Sequence, residues 1–261
     1  MTALTDPLAE GAVQAVLEAG ELLADPAAVR SIRAKSETDY VTNVDLAVQE
    51  FLRERLAALA PDIQFMGEEQ DNSALDLTRP CWILDPVDGT TNLIHDFRNS
   101  AVSLGLCDKG EMICGVVYQP FSGEVFHAVR GEGACLNQKP IHVSSAVSMA
   151  ESLISIGTTP YEHEYADRNF EIFKKVFLDC QDIRRIGSAA IELCFVACGR
   201  LEAFFEMNLK PWDYAAGLLI IEEAGGSVTD FEGRKPQPWK RGNIIGSNGR
   251  LGQILVEQYM N

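Results

Sequence analysis

Apolar positions recur at helical spacing in two stretches near the start of the chain. From Leu4 to Ala24, the residues Leu8, Val13, Val16, Leu17 and Leu23 share one broad face, which predicts an opening helix. From Asp45 to Ala60, Val48, Leu52, Leu56 and Leu59 repeat the pattern until Pro61 stops it. Between them, "SETDYVTNVD" (36–45) supplies turn and cap chemistry. Short apolar runs follow. "IQFMGEE" (63–69) predicts a strand running into Glu68 and Glu69, and Cys81–Leu84 a second strand after the polar link 70–80. "AVSLGLC" (101–107), "MICGVVYQ" (112–119) and "EVFHAVR" (124–130) predict three strands, separated by the turn sequences "DKGE" and "PFSG", hence an antiparallel meander.

The second half alternates. Strands are expected at 152–157, 183–187, 202–207 and 243–247, and helices at 168–179, 188–199, 211–226 and 250–260. Gly199 closes the second of these helices, and Pro211 and Gly225 bracket the third. The expected class is α/β or mixed α+β, with layered sheets and helices. No repeat or Pro/Gly/Ser-rich linker divides the chain. One unit over 1–261 is expected, with a soft subdivision near residue 150 into an N-terminal α+β part and a C-terminal α/β part.

Composition adds a constraint on partners. Of 261 residues, 46% are hydrophobic and 23% charged, an ordinary globular balance, but the net charge is −16. That charge disfavours a nucleic acid or an anionic membrane surface as partner, since both need a basic footprint. The seven cysteines show no CxxC spacing and several sit in apolar runs, which predicts reduced thiols and a cytoplasmic setting. The N-terminus has neither a basic n-region nor an apolar h-region, and no apolar run reaches the roughly 20 residues of a membrane span.

The acids fall at the ends of apolar elements. Glu68 and Glu69 end one strand, Asp85 ends another with Asp88 three residues on, and Asp213 opens a helix. Each has an unexceptional explanation: Asp-Pro and Asp-Gly form turns, and Asp213 suits a helix N-terminus. Their joint occurrence with "DPVDGTT" (85–91) favours a site for Mg²⁺, a hard cation that takes carboxylate, water and phosphate oxygens. Pro86 stiffens the spacing of the two aspartates, and the Val87 carbonyl between them offers a neutral oxygen. Gly89 permits close approach to a ligand, the N–H groups of a following helical turn suit a phosphate, and Thr90 offers a hydroxyl to orient water.

Together "DPVDGTTN" (85–92) and "KPWDYAAG" (210–217) resemble the inositol monophosphatase family of Mg²⁺-dependent, lithium-sensitive sugar-phosphate phosphatases. "KSETDYVTNVD" (35–45), "MGEE" (66–69) and "GSAAIELCFVACGRLEAFFE" (187–206) occur in the family's order. The resemblance implies an αβαβα sandwich, usually a homodimer, that hydrolyses a small phosphorylated polyol or sugar with two or three Mg²⁺ ions. It implies Glu68, Asp85 and the Val87 carbonyl as ligands of one ion, and Asp85, Asp88 and Asp213 as ligands of a second. A third, weaker ion would rest on Glu68, with Asp45 near it. Glu68 and Thr90 would position the attacking water, and Gly89, Thr90 and Thr91 would hold the phosphate. Gly187, Ser188, Ala189 and Glu206, with Asp88 and Asp213, would meet the substrate hydroxyls. Inositol 1-phosphate is the substrate the resemblance favours, with fructose 1,6-bisphosphate and 3′-phosphoadenosine 5′-phosphate as alternatives. The chain departs from the family pattern at "HDFR" (95–98), where Asp96 stands for a glycine and Arg98 for a proline.

Overall fold

The computed structural model describes residues 6–25, 29, 31–35 and 40–260. Helix α1 (Pro7–Ala24) starts where Asp6 accepts a hydrogen bond from the Leu8 amide at 2.8 Å, with Pro7 in the first turn. The expected start at Leu4 and the turn residues 36–39 lie outside the described residues. Strands β1 (Ile32–Ala34) and β2 (Tyr40–Thr42) make a small antiparallel ribbon. Thr42 then caps α2 (Asn43–Leu59) in a reciprocal capping box with Asp45, two residues ahead of the expected start.

A seven-stranded sheet follows: β3 (Gln64–Gly67), β4 (Cys81–Asp88), β5 (Ala101–Asp108), β6 (Glu111–Gln119), β7 (Glu124–Val129), β8 (Gly133–Leu136) and β9 (Lys139–Pro140), in that spatial order. Only the β3–β4 pair is parallel; the expected meander is present and continues to β9. A five-residue helix, α3 (Thr90–Ile94), interrupts it after β4. The second half supplies β10 (Leu153–Ile156), α4 (Ala166–Asp179), β11 (Asp182–Arg184), α5 (Ala189–Ala197), β12 (Ala203–Leu209), α6 (Pro211–Glu223), β13 (Ser227–Thr229), β14 (Gly242–Ser247) and α7 (Arg250–Gln258). Its five strands lie in the order β11-β10-β12-β14-β13. The expected strand 183–187 is only three residues long, because Gly187 takes a left-handed backbone (φ +88°) and turns the chain into α5.

Strand alternation sets the layers. On β4, Trp82 and Leu84 pack with α1 and α2, whereas Cys81 and Ile83 face α5 and α6. Helices α5 and α6 are apolar nearly all round because they lie between the two sheets. On the far side, Ile172, Phe173 and Val176 of α4 and Leu251 and Leu255 of α7 cover Phe205 of β12 and Ile245 of β14. The order from one face to the other is αβαβα.

Candidate active site

The largest departure from the expected strand ends is at β4. The strand does not stop at Leu84; it runs through Asp85-Pro86-Val87-Asp88 to pair with β5. The ladder shifts register between Asp85 and Asp88, so the proline sits in a bulge where the missing N–H costs no ladder bond. Alternation carries Asp85 to the same face as Ile83, toward α6. The bulge then turns Asp88 toward the start of α5, where Ser188 Oγ and, at 2.7 Å, the Ala190 amide donate to its Oδ2. Asp85 Oδ1 accepts from the Val87 amide at 2.9 Å. Asp213 Oδ2 accepts from the Lys210 amide at 2.7 Å at the start of α6.

These three aspartates and Glu68, which follows β3, line one cleft. Val87, Gly89, Thr90, Thr91, Gly187, Ala189 and Glu206 line it too. Of the expected residues, Ser188 stands behind the wall, bonded to Asp88, and Asp45 also lies outside the lining. Burial drives the carboxyls of Asp85 and Asp213 well above the ordinary range, and Glu68 and Asp88 push both further the same way. Asp88 is raised to about 6, again chiefly by burial, with Ser188 and Ala190 opposing. Lysines reach only the rim of this cluster. Lys35 Nζ lies 3.1 Å from Glu68 Oε1 and also pairs with Glu69; Lys210 Nζ lies 3.8 Å from Glu68. Burial opposes the charge on Lys35, but the two glutamates outweigh it and hold its pKa above the usual lysine range.

Thr90 and Asp45 form a second feature. Thr90 is placed by Gly89, whose φ of +90° starts α3 and which has no room for a side chain: a Cβ there would lie 2.9 Å from the Asn99 carbonyl oxygen. The Thr90 hydroxyl lies 3.0 Å from both Asp45 Oδ1 and the Val87 carbonyl. Asp45 is fully buried, and its other oxygen accepts from Thr42 N and Oγ1. Its part in the capping box hid this contact at the sequence level, where Asp45 was expected only near a third ion.

Part of the lining has no counterpart in the sequence reading. Thr159, Tyr161, Arg185, Lys210 and Arg241 line the same cleft as the acids. Arg241 pairs with Glu162, while Arg185 donates to the Thr158 hydroxyl at 3.2 Å. Glu206, from β12, accepts from the Thr159 amide at 2.8 Å, and burial pushes its carboxyl up to about 7. The "HDFR" segment lies outside the lining: Asp96 and Arg98 take left-handed backbone (φ +51° and +60°), pair with each other at 3.1 Å, and leave Phe97 exposed. A glycine at 96 would adopt that conformation without strain.

Do these residues suit a cation? The donor set is oxygen only, which suits Mg²⁺ rather than a soft metal. Asp85 and Asp88 are buried, and among the described residues no lysine pairs with either; Lys35 pairs with Glu68 and Glu69, and Lys210 lies at the edge beside Glu68 and Asp213, so a cation would offset charge that the lysines leave in the cleft. Backbone and hydroxyl donors fix one oxygen of each aspartate from behind, as outer-shell partners fix metal ligands. Among the described residues no group of three or more acids, histidines or cysteines is a ready-made cage. The fit therefore rests on the chemistry of the donors and their shared cleft.

A sequence profile of the inositol monophosphatase family matches residues 4–260. Among curated proteins, the Salmonella typhimurium Nus factor SuhB is 37% identical over 254 residues, covering 96% of this chain and 94% of that protein. The Synechocystis inositol-1-monophosphatase is 38% identical over 250 residues, 95% of this chain and 87% of that one. Among solved structures, the Thermotoga maritima IMPase superposes with a TM-score of 0.86 at 32% identity, covering 95% of this chain and 94% of its own. Fold and likeness together define a hydrolase of the phosphatase class. The chain belongs to the inositol monophosphatase family.

Proposed function

We propose that the protein is a Mg²⁺-dependent phosphatase that releases phosphate from a small monoester, with inositol 1-phosphate the leading substrate. The observation that carries this is the convergence of buried Asp85 and Asp88 with half-buried Asp213 and Glu68 in one cleft. Glu68, Asp85 and the Val87 carbonyl would hold one ion; Asp85, Asp88 and Asp213 a second; Glu68, with Asp45 nearby, a weaker third. Bound Mg²⁺ supplies positive charge to the phosphoryl oxygens and the leaving oxygen, and acidifies a coordinated water.

The chain's own residues orient the reactants. The Thr90 proton points toward Asp45 or the Val87 carbonyl, which leaves the hydroxyl oxygen free to accept from the attacking water. Glu68 accepts the second bond from that water. Gly89, Thr90 and Thr91 hold the phosphate through their amides at the bend before and within α3. Glu206, Gly187 and Ala189 line the side where the alcohol leaves, and Glu206 binds a substrate hydroxyl. Ser188 acts through Asp88, whose orientation it fixes.

The name of the Synechocystis relative supports the inositol substrate. Homodimer formation and lithium inhibition are further parts of this proposal, carried by the family resemblance. The SuhB name describes a Nus factor in those relatives, and the −16 charge of this chain gives direct nucleic-acid binding no support. One observation favours a second substrate reading. Arg185 and Arg241 on the cleft wall could receive a second phosphate, as in fructose 1,6-bisphosphate. A panel of kcat/KM values for inositol 1-phosphate, glycerol phosphate, fructose 1,6-bisphosphate and 3′-phosphoadenosine 5′-phosphate decides. Inositol 1-phosphate is expected to lead; a preference of tenfold or more for either bisphosphate overturns the first assignment.

A further inference from the structure

Glu192 is a buried acid to which the mechanism above gives no part. It lies on α5, one turn after Ser188, and only 1% of it is exposed. Its Oε1 accepts two hydrogen bonds, from the Ile186 amide at 2.9 Å and from Ser155 Oγ at 2.7 Å. Ser155 is itself buried on β10, opposite Arg184 of β11. One carboxyl thus ties together a helix, a strand and the turn that enters the helix.

That turn is clamped from its other side as well. Asn92 Nδ2 donates to the Ile186 carbonyl at 2.9 Å and lies 3.2 Å from the Gly187 carbonyl. The clamped segment carries Arg185, Gly187 and Ala189 to the cleft wall beside Glu206. Its turn depends on Gly187, whose left-handed backbone (φ +88°) other residues rarely adopt. The start of α5 has separate anchors on Asp88 through Ser188 and Ala190.

We propose that Glu192 is a positioning residue that sets selectivity for the leaving alcohol: by holding the Ile186 amide it fixes the 185–187 segment against the substrate's hydroxyl-bearing side. This rests on the phosphatase reading above and deepens it. The charged groups facing Glu192 are Glu206 and Arg185. Burial pushes its carboxyl up to about 8, the Ile186 and Ser155 bonds oppose that, and Glu206 adds to it. At pH 7 it is a neutral acid, so a carboxamide can keep the same acceptor oxygen in place.

The test compares wild type, Glu192→Gln and Glu192→Ala with saturating Mg²⁺ on two substrates. Inositol 1-phosphate has hydroxyls for the segment to read; 4-nitrophenyl phosphate has none on its leaving group. Loss of the buried acceptor leaves the Ile186 amide unmatched, while the Ser155 hydroxyl keeps the Arg184 carbonyl at 3.2 Å; one orphaned buried amide is enough for about a tenfold effect. Glu192→Ala is expected to lose about tenfold in kcat/KM on inositol 1-phosphate, mainly through KM, and less than about threefold on 4-nitrophenyl phosphate. Glu192→Gln stays within about threefold of wild type on both. Equal loss on both substrates, or an unchanged Glu192→Ala, overturns the proposal. Ser155→Ala, which leaves the Ile186 bond intact, provides the comparison if Glu192→Ala does not fold; it is expected to shift KM in the same direction by a smaller factor. Should wild type prefer another sugar phosphate, that substrate replaces inositol 1-phosphate in the same comparison, so a failed substrate assignment is distinguished from a failed role for Glu192.

Discussion

Adding one methyl group at Gly115 should reach the reaction centre from the back of the sheet. Gly115 of β6 lies directly opposite Gly105 of β5 in the ladder, and both lie beneath Ala216 of α6. A Cβ on Gly115 would sit 2.7 Å from the Ala216 carbonyl oxygen, 3.2 Å from its Cα and 3.3 Å from its carbonyl carbon. All three are helix backbone, so no side chain can yield; the helix must lift by roughly half an ångström to restore ordinary contact. Overpacking of this kind costs about 1–3 kcal/mol. For a chain of this size each kcal/mol lowers Tm by about 2–4 °C, so Gly115→Ala is expected to melt about 2–12 °C early. Asp213 lies one turn before Ala216 on the same helix, while Asp85 and Asp88 lie on β4 of the sheet being pushed away. Catalytic groups tolerate about 0.5 Å of displacement, and about 1 Å costs on the order of a hundredfold. We expect kcat/KM for inositol 1-phosphate to fall about tenfold, with a higher Mg²⁺ concentration needed for half-maximal rate. Gly105→Ala is the control. Its Cβ would meet the movable end of Met112 at 2.5 Å and the Ala216 amide nitrogen only at 3.4 Å, so activity should stay within about threefold. A Gly115→Ala protein with lowered Tm but wild-type kcat/KM and Mg²⁺ dependence would refute the link between helix–sheet spacing and carboxylate geometry.

Three further outcomes are expected. Ser188→Ala removes both the donor to Asp88 and the hydroxyl that caps α5, so stability should fall by about 1 kcal/mol in urea unfolding and kcat should fall with it; unchanged kcat would show that Asp88 needs no such support. The folded-state pKa of Glu192, about 8, lies above its unfolded value, so the native state holds the extra proton and the stability it confers is lost as pH rises toward 8. In EDTA, wild type should therefore weaken between pH 5.5 and 8.5 more steeply than Glu192→Gln; equal slopes would contradict this, with Glu206 contributing to both proteins. Stripped protein should gain about 2.7 kcal/mol when Mg²⁺ reaches a hundred times its Kd, and an unchanged Tm at equal ionic strength would count against metal binding by the acids.

Much of the layout was legible because periodicity and punctuation agree with burial. The α1 and α2 stripes, the meander and the Pro211–Gly225 bracket all correspond to observed elements. Where the sequence misled, long-range contacts decided. Asp-Pro after an apolar run reads locally as a strand end, yet pairing with β5 carries β4 through Asp88 by a bulge. The strands β1, β2, β8, β9 and β13 are two to four residues long, too short to show a period. The acids were legible because several fall in one recognisable motif order. Arg185, Arg241 and Tyr161 were not, since each comes from a different loop with no local signature, and only the fold brings them to the cleft. Asp45 was half legible: its helix-start role was evident, its contact with Thr90 forty-five residues away was not.

The most direct test of the central claim is phosphate release from inositol 1-phosphate by wild type and Asp213→Asn, each stripped with EDTA and then titrated with MgCl₂. EDTA is expected to abolish wild-type turnover and Mg²⁺ to restore it, with Asp213→Asn at least about a hundredfold lower at every Mg²⁺ concentration. Full turnover in excess EDTA, or an Asp213→Asn protein as active as wild type, would contradict it.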